Sequence, residues 1–192
     1  RDLHSFPTRR SSDLALSSGA WAYTNTVILD DTLRVKARVY SGGVWSALTE
    51  ADFAVPGSLP LRITEIMFHP APVTAAEIQA GFTNAEDFEY LELRNVGPRA
   101  LSLAGVSFVN GITFNFLSGT LAAGERLLLV KNLAAFNFRY GPAANIAGTY
   151  QGNLSNGGER LRVQDALGRA ILDFSYGDGW APLADGHGFS LV

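Results

Sequence analysis

The sequence predicts an all-β fold, a two-sheet sandwich with short helical insertions, and three observations carry that expectation. Twenty Gly and eight Pro cut the chain into short pieces, as turns do between strands. The pieces between them are rich in Val, Leu, Phe and Tyr and alternate apolar with polar positions, the period of a half-buried strand. Sustained apolar spacing at the helical period is scarce. Roughly seven such segments follow residue 60, with frequent turns, which suits a sandwich.

Residues 1–14, Arg1-Asp-Leu-His-Ser-Phe-Pro-Thr-Arg-Arg-Ser-Ser-Asp-Leu14, resemble one reading frame of a short-read sequencing adapter, which would encode Leu3 through Leu14. They are expected to be disordered, to touch neither β segment, and to mark the chain as a gene fragment. A segment of this origin carries no selected function, so His4, Arg9 and Arg10 are expected to be neither ligands nor a nucleic-acid patch. Removing three Arg and two Asp from 15 basic and 18 acidic residues leaves a net charge of −4.

A mildly acidic chain lacks the Lys and Arg that neutralise phosphates in nucleic-acid binding. Lys occurs only at Lys36 and Lys131, so there is no polybasic patch for an anionic membrane surface. No apolar run approaches the roughly 20 residues that span a bilayer. Cysteine is absent, which excludes disulfides and thiolate metal sites. The single Met, Met67, sits in mid-strand, so the natural start is expected upstream, together with any secretion signal.

Residues 15–55 read as a truncated β module. Leu33, Val35, Ala37 and Val39 alternate with Arg34, Lys36, Arg38 and Tyr40, predicting a strand with one buried face. Ser41-Gly-Gly-Val44 then turns tightly, because adjacent glycines accept positive φ, and Trp45 opens the return strand. Val35-Lys-Ala-Arg38, Gly43 and Trp45-Ser46 resemble the end of the fibronectin-like module that follows catalytic domains in chitobiase-type proteins. Residues 56–60, with Pro56, Gly57 and Pro60, read as a linker.

Beyond it, Leu61–Phe68 is the first strand of a larger segment, though its alternation is imperfect and leaves open which face is the core. Thr74-Ala-Ala-Glu77 is a capping box that starts a short helix through Phe82. Phe88–Asn95 is the second strand, with Leu91 and Leu93 opposed to Tyr90, Glu92 and Arg94. Strands near Val106–Val109 and Ile112–Phe116 join around Asn110-Gly111, and another covers Glu125–Lys131. Asn132 caps a helix through Tyr140, closed by Gly141-Pro142. Glu159–Gln164 and Arg169–Tyr176 complete the set.

Seven pieces in order then resemble the lamin tail domain in its bacterial form, over residues 61–192. They are Ile63-Thr-Glu-Ile-Met67 followed by Pro70, Asp87–Asn95, Leu103-Ala-Gly-Val106, Leu121-Ala-Ala-Gly-Glu125, Leu154–Glu159, Tyr176-Gly-Asp-Gly-Trp180 and Asp185–Leu191. The resemblance implies an immunoglobulin-like sandwich and a place in a large secreted or surface bacterial protein, hence an extracellular or cell-surface location. Such domains accompany hydrolase or spore-coat-kinase-like domains. The insert His69–Glu86 departs from the family pattern.

For chemistry, the bases available after residue 14 are His69 and His187. No Gly-x-Ser-x-Gly elbow accompanies them, and both are expected to be loop residues making ordinary hydrogen bonds. Glu65, Glu86, Asp87, Glu89 and Glu92 offer oxygens for calcium, but their spacing fits no known loop and reads instead as a solvated face balanced by Arg94. No catalytic, cofactor or metal residues are assigned. The expected function is a non-catalytic structural, adhesive or binding module, whose partner is a cell-surface glycan or protein and not nucleic acid. The alternative is an accessory domain of an extracellular enzyme whose catalytic domain lies upstream. The surface chosen for binding is the loop end with Trp180, Asp185 and His187, since loops vary while sheets hold them rigid.

Overall fold

The computed structural model describes residues 2–7, 21–23, 25–28, 33–53, 59–143 and 145–192. It divides the chain into two units, Arg1–Gly57 and Ser58–Val192. The predicted linker lies outside the described residues as far as residue 58.

The first unit is one antiparallel sheet: β1 (Asp2–Pro7), β2 (Trp21–Tyr23), β3 (Leu33–Ser41), β4 (Val44–Trp45) and β5 (Thr49–Phe53). β3 is central, with β1 on one side and both β4 and β5 on the other. This corrects the expectation that residues 1–14 make no contact, because Asp2–Pro7 pairs with Val35–Tyr40 and Ser5 with Trp21. A ladder needs only main-chain donors and acceptors, and the free edge of β3 supplies them to any extended segment. The part of that expectation covering residues 8–14 lies outside the described residues. The predicted glycine turn is present, with Gly42 and Gly43 both at positive φ. Val39 and Ser46 exchange hydrogen bonds of 2.8 and 2.9 Å across it. The expected single buried face is not: Val35 through Tyr40 are all half-buried.

The second unit is all-β and sandwich-like with short helical pieces. Its strands are β6 (Leu61–Met67), β7 (Tyr90–Asn95), β8 (Leu101–Ser102), β9 (Ser107–Asn110), β10 (Phe114–Asn115), β11 (Thr120–Leu121), β12 (Arg126–Val130), β13 (Ile146–Thr149), β14 (Glu159–Gln164) and β15 (Ala170–Tyr176). One sheet runs β13-β12-β7-β6, the other β10-β9-β14-β15, and β8 pairs with β11 as a small ribbon. β13 runs parallel to β12. Inward residues of both sheets, among them Leu61, Leu91, Leu93, Leu129, Phe108, Leu161 and Val163, form one buried cluster. Burial of this apolar surface drives the fold, at about 25 cal/mol per Å² removed from water.

The local signals are obeyed where they are short-range. Helix α1 (Ala75–Gln79) carries the complete Thr74–Glu77 capping box, and Asn132 caps α2 (Leu133–Tyr140) through the amides of Ala134 and Ala135. Phe88 is not in the second strand as predicted. It ends a 3₁₀ turn, Ala85–Phe88, capped by Asn84, and β7 starts two residues later. Gly111 stands at φ +81°, and a Cβ there would meet Leu161 at 2.4 Å, so the link from β9 to β10 requires glycine. That link is longer than a two-residue turn, because Thr113 pairs with Gln151 by two 2.9 Å bonds.

Candidate functional site

After β15 the chain folds into two 3₁₀ turns, Asp178–Trp180 and Pro182–Ala184, and then runs back to the end of β6. Four contacts fix this segment. Asp185 Oδ1 lies 2.6 Å from His69 Nδ1, and the Gly186 amide donates to the His69 carbonyl at 3.1 Å. Ser190 Oγ donates to Glu65 at 2.6 Å, and Leu191 exchanges hydrogen bonds of 2.9 and 3.0 Å with Ile66. Gly186, at φ +77°, presses against the His69 ring, where a Cβ would lie 3.3 Å away. Tyr176 and Ala184 anchor the segment from beneath; the Tyr176 ring packs 5.2 Å from Phe68.

On this held backbone, large apolar side chains face outward. Trp180 is 63% exposed, Leu183 62% and Phe189 59%. Trp180 and Val192 border a groove of about 260 Å³ whose floor includes Ile63, Ile66 and Phe174. The three residues chosen from sequence therefore have different settings. Trp180 flanks the groove, Asp185 holds His69, and His187 is exposed between two glycines at positive φ. His69 thus makes the ordinary hydrogen bond expected of it, while Ser190, the hydroxyl further along, is turned to Glu65.

The acidic residues do not form the solvated, Arg94-balanced face expected from sequence. Glu65 and Glu92 do stand opposite each other, across a bulge in β6. Glu65 accepts from Tyr90 Oη and Ser190, while Glu92 accepts from Thr64 at 2.7 Å and pairs with Arg126 at 3.0 Å. Arg94 instead donates to the Gly124 carbonyl. The two carboxylates thus have separate partners, two hydroxyls on Glu65, and a hydroxyl and an arginine on Glu92. Among the described residues no three His, Asp or Glu side chains converge to hold a metal ion.

Three carboxylates, Glu77, Glu89 and Asp165, are buried, and the first two matter most for the site. Glu77 does more than cap the helix: it receives two hydrogen bonds from Arg139, 2.7 and 2.8 Å, and Arg139 lies 3.5 Å over the Phe88 ring. Those bonds hold its pKa down at about 2 against the cost of burial. Glu89 is completely buried; its Oε2 accepts from Tyr150 Oη and the Leu154 amide, both at 2.9 Å, and burial pushes its pKa up to about 7. A signal for Glu89 was available, since it is in phase with Leu91 and Leu93 and so points inward. No sequence signal joined Glu77 to Arg139.

No family model matches this chain, and no curated protein matches it. Among the described residues no helix is long and apolar enough to cross a membrane.

Proposed function

We propose that residues 61–192 are a non-catalytic module, structural or adhesive, of a large secreted or surface bacterial protein, and that it engages a cell-surface glycan or protein through the segment carrying Trp180. The observation that supports this reading most is the contrast between a segment bonded at four points and the apolar side chains it holds toward solvent. Exposed aromatics on a fixed backbone bind at low entropic cost, because little is left to order on contact. Trp180 beside the groove offers a ring face for stacking on a sugar or an apolar side chain. The resemblance to bacterial lamin tail domains supports the extracellular setting.

The test is binding to a glycan array and to cell-wall fractions, beside hydrolase and kinase assays, for wild type, Trp180→Ala and His187→Ala. The expected result is retention that weakens about tenfold or more in Trp180→Ala, as for an interface anchor, with the unfolding midpoint unchanged. Binding untouched by both substitutions removes this surface. Turnover that survives purification and vanishes in His187→Ala overturns the non-catalytic reading.

A further inference from the structure

The geometry around Glu89 points to a second device in the larger unit: we propose that Glu89 is a proton-dependent latch on the segment 150–158, which joins β13 to β14. The carboxyl group has no exposed surface, and its two oxygens are treated unequally. Oε2 takes the Tyr150 hydroxyl and the Leu154 amide, whereas Oε1 has no hydrogen-bond partner among the described residues. The main chain of Glu89 is fixed as well, with its amide on the Glu86 carbonyl and its carbonyl taking the Lys131 amide. The side chain therefore cannot withdraw without unpicking the start of β7.

The charged form is the awkward one. A carboxylate in a dry site needs donors on both oxygens or a cation nearby. The one ammonium in reach, Lys131 Nζ, donates to the Gly152 carbonyl at 2.5 Å and favours the charged form only as the smallest of the influences on it, well below the cost of burial. The other titratable groups facing the site are Glu86 on the preceding turn, Glu159 on β14, Tyr150 at the end of β13 and Tyr176 on β15. Two of these are acidic and the two tyrosines are held neutral by burial, so none neutralises a charge on Glu89. A proton on Oε1 removes that charge and leaves both bonds to Oε2 in place. Burial accordingly raises the pKa, to about 7.

Loss of the proton leaves a charge shared by both oxygens with no donor on Oε1, and the accessible relief is for water to enter where Leu154 lies. Segment 150–158 is therefore closed with Glu89 protonated and loosened once it ionises. The segment is also tied by the Gln151–Thr113 pair, by Lys131 on the Gly152 carbonyl, by Asn153 donating to Glu86, and by the Tyr176 hydroxyl on the Ser155 carbonyl and the Ser155 amide on Glu159, both 2.9 Å. Those bonds do not depend on Glu89, so the loosening is local and reversible.

The test is a pH titration of the full chain by NMR, following the Glu89 side-chain carboxyl carbon and the Leu154 amide. The two are expected to move with one common midpoint near neutrality. The amide protection of Leu154, corrected for the intrinsic pH dependence of exchange, should fall about tenfold or more across it. Glu89→Gln should leave the Leu154 signal flat with pH. Tyr150→Phe, which removes one donor to the ionised form, should raise the midpoint. A Glu89 carbon that titrates with ordinary carboxylates near 4.5, or a Leu154 amide that ignores the titration, overturns the latch. Should Glu89→Gln fail to fold, an unchanged midpoint in Tyr150→Phe overturns it equally.

Discussion

In the strand pair β3 and β5 every residue of β5 is exposed, whereas in β6 and β7 alternate residues of β7 are fully buried. Both pairs are antiparallel and both alternate in sequence. The first is held by its ladder and by charges facing across it, Arg34 on Asp52 at 2.7 and 3.1 Å and Lys36 on Glu50 at 3.0 Å, with Arg38 over the Trp45 ring at 4.4 Å. Exposed pairs of this kind are hydrated and screened, and contribute little. The second pair has a facing sheet to bury against, so its alternation becomes a core. Alternation is thus a capacity for burial, realised only where a second layer exists.

The largest difference should come from truncating the inward positions. Leu93→Ala removes a fully buried side chain and should destabilise the larger unit by about 2–5 kcal/mol. Val39→Ala, at a half-buried position of the smaller unit, should cost about 1 kcal/mol or less. Urea titrations of both variants check this, and equal losses would break the comparison.

Next comes the buried ion pair. Arg139→Ala leaves the Glu77 carboxylate enclosed without its main partner and should cost about 3 kcal/mol at neutral pH. The folded pKa of Glu77 is depressed to about 2 from 4.5, so its contribution is complete above 4.5 and is lost as pH falls toward 2. Stability measured against pH should therefore show an acid limb in wild type that is reduced in Arg139→Ala.

Glu89 acts with the opposite sign. Its folded pKa lies above its unfolded value, so its favourable contribution is present below 4.5 and is lost as pH rises through about 7. The loss should be on the order of 3 kcal/mol, and Glu89→Gln should flatten that limb of the same curve. The smallest effect is expected from Arg34→Ala, whose denaturation midpoint should be indistinguishable from wild type.

Legibility followed the range of the interaction. The caps at Thr74 and Asn132 and the turn at Gly42-Gly43 were read correctly because each is settled by residues a few positions apart. β8, β11 and β13 have no local sequence signal. The first two have two residues each, and β13 joins by parallel pairing to β12, which leaves no local turn signal. The candidate site was legible as a loop rich in glycine and aromatics, but its geometry was not. Asp185 finds His69 and Ser190 finds Glu65 from more than a hundred residues away, a pairing that only the folded topology specifies.

The central claim is that residues 59–192 carry a layered core, whereas the described residues of the preceding unit form a single sheet. Guanidinium denaturation of the isolated fragment 59–192, followed by tryptophan fluorescence, tests it most directly. A single cooperative transition is predicted, with the midpoint that the core transition shows in the full chain, while fragment 15–58 loses signal gradually. A gradual, non-cooperative loss in 59–192 would contradict the account.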